Sequence, residues 1–308
     1  MIHYDPRWSG PHGIGRFSDE VVSRLQDVRP LRIGVGKLAL LDPLATTLAA
    51  AGLRSGVYFT PGFNPPLRSP VPLVFCVHDL IHLRFAPEST LARRLYYRLV
   101  VRPAARRAAR VLTVSVHSQR EILEWTGLPP ARVAVVGNGV AAAFRPDGAR
   151  HEPGFPYFLY VGRRAAHKNI DRLLAAHASA RCAREIRLLF AEGLDDERLA
   201  AHYRGALALA FPSLHEGFGL PIVEAMACGT PVLTSTATAM PETAGEGNAL
   251  LVDPLSVDAI AAGLDRLADD AALRARLRER GLLRARAFSW TEVAAKVGEA
   301  LRQAQAGR

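Results

Sequence analysis

The stretch HEGFGLPIVEAMACGTPV (215–232) decides how the chain reads. Two acids, Glu216 and Glu224, stand eight apart around a Gly-rich turn that carries Phe218 and Leu220. Pro221 sits where a helix accepts proline, at its first turn, so a helix is expected over 221–228 with Gly217 and Gly219 just ahead of it. At such an N-terminus the first backbone N–H groups lack partners within the helix and the positive end of its dipole faces outward, a place that holds an anion. Acids beside an anion are unfavourable unless they bind something else, and neutral hydroxyls are the obvious partners. The plain alternative is a helix start with one surface and one capping glutamate, and the segment alone does not separate the two.

Outward from this stretch, apolar β-rich runs alternate with helix-like ones, the pattern of parallel sheets covered by helices. Strands are expected at 1–5, 31–36, 57–60, 72–78, 111–116 and 133–137, then at 157–161, 186–190, 207–211, 231–235 and 249–252. Helices are expected at 15–26, 42–51, 91–109 and 118–126, then at 168–181, 195–205, 221–228, 256–268, 271–286 and 290–305. The Pro-rich 60–72 is a loop, and FRPDGARHEPGFP (144–156), crowded with Gly and Pro, reads as a linker between two domains.

A chain of 308 residues accommodates two domains, each with its own core. Hydrophobic residues at 49% and charged ones at 22% are the proportions of a soluble globular protein. No run approaches the roughly 18 apolar residues of a membrane span, and residues 1–20 lack a signal-peptide core, so a cytoplasmic location is expected. Cys76, Cys182 and Cys228 lie far apart without metal-ligand spacing and are expected as buried thiols.

The net charge of +10 is almost wholly arginine, because lysine occurs only at 37, 168 and 296. LARRLYYRLVVRPAARRAAR (91–110) concentrates it, with seven arginines and no acid. A basic amphipathic segment of this kind suits an anionic membrane surface; a solvated helix face kinked at Pro103 is the alternative. No nucleic-acid motif accompanies the charge, so no nucleic-acid partner is expected.

Three further segments, GIGR (13–16), HDLI (78–81) and VGRRAAHKNI (161–170), precede the opening one, which extends to FPSLHEGFGLPIVEAMACGTPV (211–232), and AFSW (287–290) follows. Together they resemble the family-4 retaining glycosyltransferases, whose signature is a pair of glutamates in this spacing. The resemblance covers most of the chain. It implies the GT-B fold, two Rossmann-like domains facing across a cleft. Residues 1–147 would form an acceptor-side domain and 148–289 a nucleotide-sugar domain, with 290–308 a terminal helix crossing back to the first. Within the family, GIGR with HDLI looks most like bacterial mannosyltransferases of surface-polysaccharide assembly. The implied substrates are a nucleotide-diphosphate sugar, GDP-mannose first and UDP-sugars next, and a glycan or polyprenyl-linked acceptor.

The resemblance also implies roles. Arg163 and Lys168 correspond to a diphosphate-binding pair, with Arg164 a possible substitute for Arg163; an arginine fork and a lysine point charge complement each other around a diphosphate. Cations at a helix start are mildly unfavourable, which itself points to an anionic ligand. Glu224 would hold the ribose hydroxyls, Glu216 the hydroxyls of the donor sugar, and the amides around Phe218, Gly219 and Leu220 the sugar and phosphate. His78, at a strand end, would line the donor-sugar pocket, while Asp79 orients its loop. His78 and His82 could also be read as a metal pair, but a strand-to-loop position lacks the helical face such a pair wants.

Gly13 and Gly15 precede the first helix as a flexible turn that lets backbone approach the donor phosphate or the acceptor. The turn is not a dinucleotide fingerprint, since Ser18 stands where the third glycine belongs. Arg16 would meet an acceptor phosphate or lie on the surface. No protein nucleophile is required in retaining enzymes of this fold, where the leaving phosphate oxygen accepts the proton. No cofactor or metal is expected, as no Asp-x-Asp pair occurs.

One departure from the family is informative: RLLFAEG (187–193) runs directly into LDDERLAAHYRGA (194–206), so an αβ unit of roughly 30 residues is missing. The C-terminal sheet is expected to have five strands in the order 2-1-3-4-5, without the loop that normally helps hold the base. A second departure places Gly137 and Ala141 around Asn138 where proline and aspartate are usual. A GT-B-like binding or scaffold subunit without catalysis is the alternative that the shortening favours; the retained Glu216, Glu224, Arg163, Lys168 and His78 oppose it.

Overall fold

The computed structural model describes residues 1–39 and 41–307, which form two compact units, Met1–Asn138 with Trp290–Arg308, and Gly139–Ser289. In the first unit six parallel strands, β1 (Ile2–Tyr4), β2 (Val28–Pro30), β3 (Val57–Thr60), β4 (Leu73–Cys76), β5 (Arg110–Thr113) and β6 (Val133–Val135), lie in the order β2-β1-β3-β4-β5-β6. Alternation along β4 serves two cores: Leu73 and Phe75 face one with Tyr58 and Val111, while Val74 and Cys76 face the other with Val57 and Leu112. A sheet buried on both faces needs the near-continuous apolar strands that parallel sheets carry. The helix Trp290–Ala306 closes the second core, setting Trp290, Val293, Val297 and Leu301 against Phe17 and Val21.

The second unit holds β7 (Tyr157–Val161), β8 (Arg187–Ala191), β9 (Ala208–Phe211), β10 (Val232–Ser235) and β11 (Leu250–Val252), all parallel, in the order β11-β10-β9-β7-β8. Numbered within the unit, this is 2-1-3-4-5, the order expected of the shortened sheet. β8 is the edge strand on its side, and the single helix Asp196–Gly205 carries the chain from it back to β9, which pairs with β7.

Several segments differ from the sequence expectation. The second strand lies at Val28–Pro30 rather than 31–36, ending where the Leu31 N–H donates to the Tyr4 carbonyl at 2.8 Å. Pro30 is tolerated because β2 is an edge strand, which apolar content alone does not reveal. The expected helix 91–109 is three pieces: Leu91–Tyr96, a π-helical turn Tyr97–Val101, and Arg102–Arg107. Pro103 cannot donate the bond a continuous α-helix would require, and a widened turn precedes it. Residues 139–147 pack with the second unit: Phe144 meets Tyr203 edge-on at 5.9 Å, and Arg204 Nη1 donates to the Arg145 carbonyl at 3.3 Å. The short helices Ile81–Arg84 and Met240–Ala244 carry too few turns to show a period in sequence. Cys76 and Cys228 are buried thiols, whereas Cys182 is half-buried, its backbone N–H donating to Asp265.

Candidate functional site

Parallel strands deliver their following loops to one end of the sheet, and in open α/β sheets ligands bind at that end. In the second unit, residues 162–169 leave β7 and residues 212–219 leave β9. Asn169 ties these loops together. It adopts a left-handed backbone (φ 61°), and its side-chain amide donates to the carbonyls of Pro212 at 2.9 Å and Pro254 at 2.7 Å. The Leu214 N–H also donates to the His167 carbonyl at 2.7 Å.

That stitching sets Lys168 beside Glu216, with Nζ 2.6 Å from Oε1 and both side chains mostly covered. Lys168 Nζ also lies 4.9 Å from the centre of the Phe211 ring. Glu216 is held from behind, its N–H donating to Thr238 Oγ1 at 3.0 Å. Arg163 is exposed, whereas the Arg164 guanidinium lies over the Phe190 ring at 5.5 Å.

The helix Leu220–Ala227 begins at Gly219, whose left-handed backbone (φ 93°, ψ 56°) turns the chain into it. A Cβ there would be strained and would press on Ile222 Cδ1 at 3.0 Å, so glycine is required. The backbone amides of Phe218, Gly219 and Leu220 have no hydrogen-bond partner among the described residues. Three donors at a helix N-terminus are thus held open, the disposition that binds an anion. The Phe218 carbonyl accepts from Thr243 Oγ1 at 2.6 Å, and its ring meets Phe288 edge-on at 5.7 Å, which fixes the turn.

Glu224, one turn into that helix, is 5% exposed and accepts from the Tyr203 hydroxyl at 3.0 Å. Tyr203, fully buried on the helix Asp196–Gly205, is a site residue that sequence reasoning missed. Its position after β8 offered a signal only once that helix was known to pack under Leu220–Ala227.

The remaining expected residues belong to the first unit. His78 follows β4; its Nε2 faces the Pro61 carbonyl at 2.8 Å and its ring meets Phe17 edge-on at 4.9 Å. Burial pushes its pKa below the ordinary histidine value, which favours neutral imidazole with Nε2–H donating. Asp79 Oδ1 accepts from the Ile81 N–H at 3.0 Å and orients the loop. Gly13 and Gly15 do not precede the helix but form its first turn, Gly13–Val22. The Gly15 N–H donates to His12 Nδ1 at 2.8 Å, so that amide is spent within the protein. A Cβ on Gly15 would lie 2.1 Å from the Gly10 carbonyl oxygen, so this glycine permits close approach of two backbone segments. His82 packs among Phe63 and Tyr97, at 6.0 and 6.2 Å between ring centres.

The glycosyl transferase 4-like domain family matches residues 18–139, and the glycosyl transferases group 1 family matches residues 177–284. O-antigen chain mannosyltransferase B of Escherichia coli is 29% identical over 289 residues, covering 82% of this chain and 75% of that protein. The MMP alpha-(1->4)-mannosyltransferase of Mycolicibacterium hassiacum is 35% identical over 263 residues, or 73% of this chain; the match spans 64%, just under two thirds, of that enzyme. Among solved structures, sucrose-phosphate synthase from Thermosynechococcus elongatus superposes with a TM-score of 0.79 at 20% identity, covering 100% of this chain and 99% of that one. Anabaena HepE in complex with UDP and glucose gives 0.74 at 17% identity, covering 98% and 99%. The fold is that of the GT-B glycosyltransferases. The chain belongs to the family-4 glycosyltransferases and resembles the bacterial mannosyltransferases among them.

Proposed function

We propose that the chain transfers a hexose, mannose from GDP-mannose first, from a nucleotide-diphosphate donor to a glycan or polyprenyl-linked acceptor, with retention and without a metal. UDP-sugars are the second donor class. The observation that carries the donor site is the convergence of the three open amides at 218–220 with Lys168 and the Glu216 carboxylate. Departure of a nucleoside diphosphate builds negative charge, and donors already aimed at it stabilise the transition state without reorganising. Lys168 and the open amides supply that charge and those dipoles, and Arg163, exposed and uncommitted to a ring, adds a fork for the diphosphate.

Glu224, steadied by Tyr203, takes the ribose hydroxyls, and Glu216 turns from Lys168 toward the donor sugar's hydroxyls as the phosphate claims the lysine. His78 of the first unit, neutral and fixed by Pro61, serves the donor sugar. The leaving phosphate oxygen accepts the acceptor's proton. The mannosyltransferase names of the relatives support the choice of sugar.

The same reading puts the protein on the inner face of an anionic membrane. No helix among the described residues is long and apolar enough to cross one. Leu91, Leu95 and Leu99, one turn apart, are 73%, 44% and 64% exposed among the arginines of the 91–107 helices. Leu44 and Leu48 are exposed on the helix Asp42–Ala51, which is joined to the 91–107 helices through Leu67: its N–H donates to Thr47 Oγ1 and its carbonyl accepts from Arg107, both at 2.8 Å. Apolar side chains ringed by guanidinium groups match an anionic bilayer surface.

The test is transfer from GDP-mannose to a polyprenyl-linked acceptor with chelator present, with the product's anomeric configuration read by NMR. Retained configuration without metal is expected; an inverted product, or activity abolished by chelator, would overturn the mechanism.

A further inference from the structure

At the opposite end of the second sheet from the donor loops lies a cavity of ≈ 300 Å³. It opens among Pro156, Leu207 and Pro231, the residues leading into β7, β9 and β10. Arg150, Arg204, Arg274 and Arg278 line it, and no acidic residue does. The four arginines come from three segments far apart in sequence, with Arg274 and Arg278 one turn apart on the helix Ala271–Ala285, so the fold itself gathers the charge.

Part of the work of three of them is structural. Arg204 donates through Nε to the Ala149 carbonyl at 2.7 Å, Arg278 through Nη1 to the Gly229 carbonyl at 2.8 Å, and Arg274 through Nη1 to the Leu267 and Ala268 carbonyls. Arg204 Nη1 also donates to the Arg145 carbonyl at 3.3 Å, and these bonds hold the three guanidinium groups in place. The Nη2 groups of Arg204, Arg274 and Arg278, and the whole Arg150 guanidinium, have no hydrogen-bond partner among the described residues. Two glycines make room for the arrangement. A Cβ on Gly229 (φ +72°) would lie 2.7 Å from Arg278 Nη1, and one on Gly148 (φ +127°) would lie 3.1 Å from Arg204 Cζ.

Four like charges around one small cavity repel one another, and a multiply charged anion relieves that repulsion while filling the unspent donors. We propose that this cavity binds a small soluble polyphosphate, at a site separate from that for the sugar donor. Planar guanidinium groups, three of them anchored with Nη2 left open, suit the oxygens of successive phosphate groups better than lysine point charges would. A single phosphate or sulfate would leave much of the charge unanswered.

Calorimetric titration with inorganic tripolyphosphate at physiological salt tests the proposal on the full chain. Saturable binding is expected in the wild type and in Lys168→Ala, which impairs the donor site and leaves the cavity intact. Arg150→Gln with Arg278→Gln should weaken it by about tenfold or more, the loss expected when charge-assisted bonds go. Because Arg278 also caps Gly229, Arg150→Gln alone is the safer variant; it should keep the melting temperature and weaken binding about threefold. Binding that disappears in Lys168→Ala, that is indifferent to Arg150 and Arg278, or that never saturates and is matched by sulfate, an adventitious ion only, would overturn the proposal. Because Lys168→Ala tests the donor site separately, failure here leaves the donor-site reading untouched.

Discussion

Lys168 Nζ lies 2.6 Å from Glu216 Oε1, joining the loop after β7 to the loop after β9. Under the proposed donor site, the lysine that would meet the diphosphate is held by the carboxylate that would meet the sugar. The pair keeps the cation positioned, and an entering diphosphate would compete with Glu216 for it. Lys168→Ala should lower kcat/KM by about 10²-fold or more, the scale on which one charge-stabilising donor contributes. Lys168→Met with unchanged steady-state kinetics would show that the lysine serves only the loop.

The Tyr203 hydroxyl donates to the buried Glu224 carboxylate at 3.0 Å. Removing it leaves a buried charge short of a donor, a loss of about 1–3 kcal/mol. Tyr203→Phe should therefore raise the donor KM by on the order of tenfold, with a smaller change in kcat, because the role assigned to Glu224 is ribose binding. Equal falls in kcat and kcat/KM with an unchanged KM would instead place Glu224 at the reacting centre.

His78 gives a pH signature. Burial holds its pKa below the ordinary value of about 6.5, so the folded protein binds fewer protons there than the unfolded chain. Its contribution is fully present above that ordinary value and is lost as pH falls through the window beneath it. Wild-type protein should lose more thermal stability between pH 7.5 and 5.5 than His78→Gln does. Parallel melting curves for the two proteins across that range would contradict the assignment.

On the first unit, Leu95→Ser with Leu99→Ser removes exposed apolar surface from the 91–107 helices without touching the buried Tyr97 and Val101. Co-sedimentation with vesicles containing phosphatidylglycerol should fall severalfold, with melting temperature unchanged. Arg93→Ala with Arg94→Ala should weaken binding and flatten its salt dependence, because less of it is then electrostatic. Undiminished sedimentation of the leucine variant would dismiss the membrane face.

Much of this was legible in the sequence because local chemistry dictates it. Gly219 and Pro221 mark a helix start, and the short path from β8 to β9 fixes a five-stranded sheet with β8 at its edge. What the sequence hid depends on long-range packing. Glu216 meets Lys168 only because Asn169 stitches two loops together across 43 positions. Tyr203 reaches Glu224 through helix packing, and the arginines at 150, 204, 274 and 278 share a cavity only in the fold. Pro30 misled because an edge strand accepts what a central one refuses. Gly15 looked like a flexible turn and instead admits the Gly10 backbone against a helix.

The proposed transfer of a hexose depends on a nucleotide-diphosphate site built on the 218–220 amides and Lys168. Calorimetry with GDP, UDP and ADP, on the wild type and Lys168→Ala, decides whether that site exists. One saturable site is expected, GDP the tightest, weakened about tenfold or more by the substitution. Absence of binding by all three nucleotides, or binding indifferent to Lys168, would contradict it.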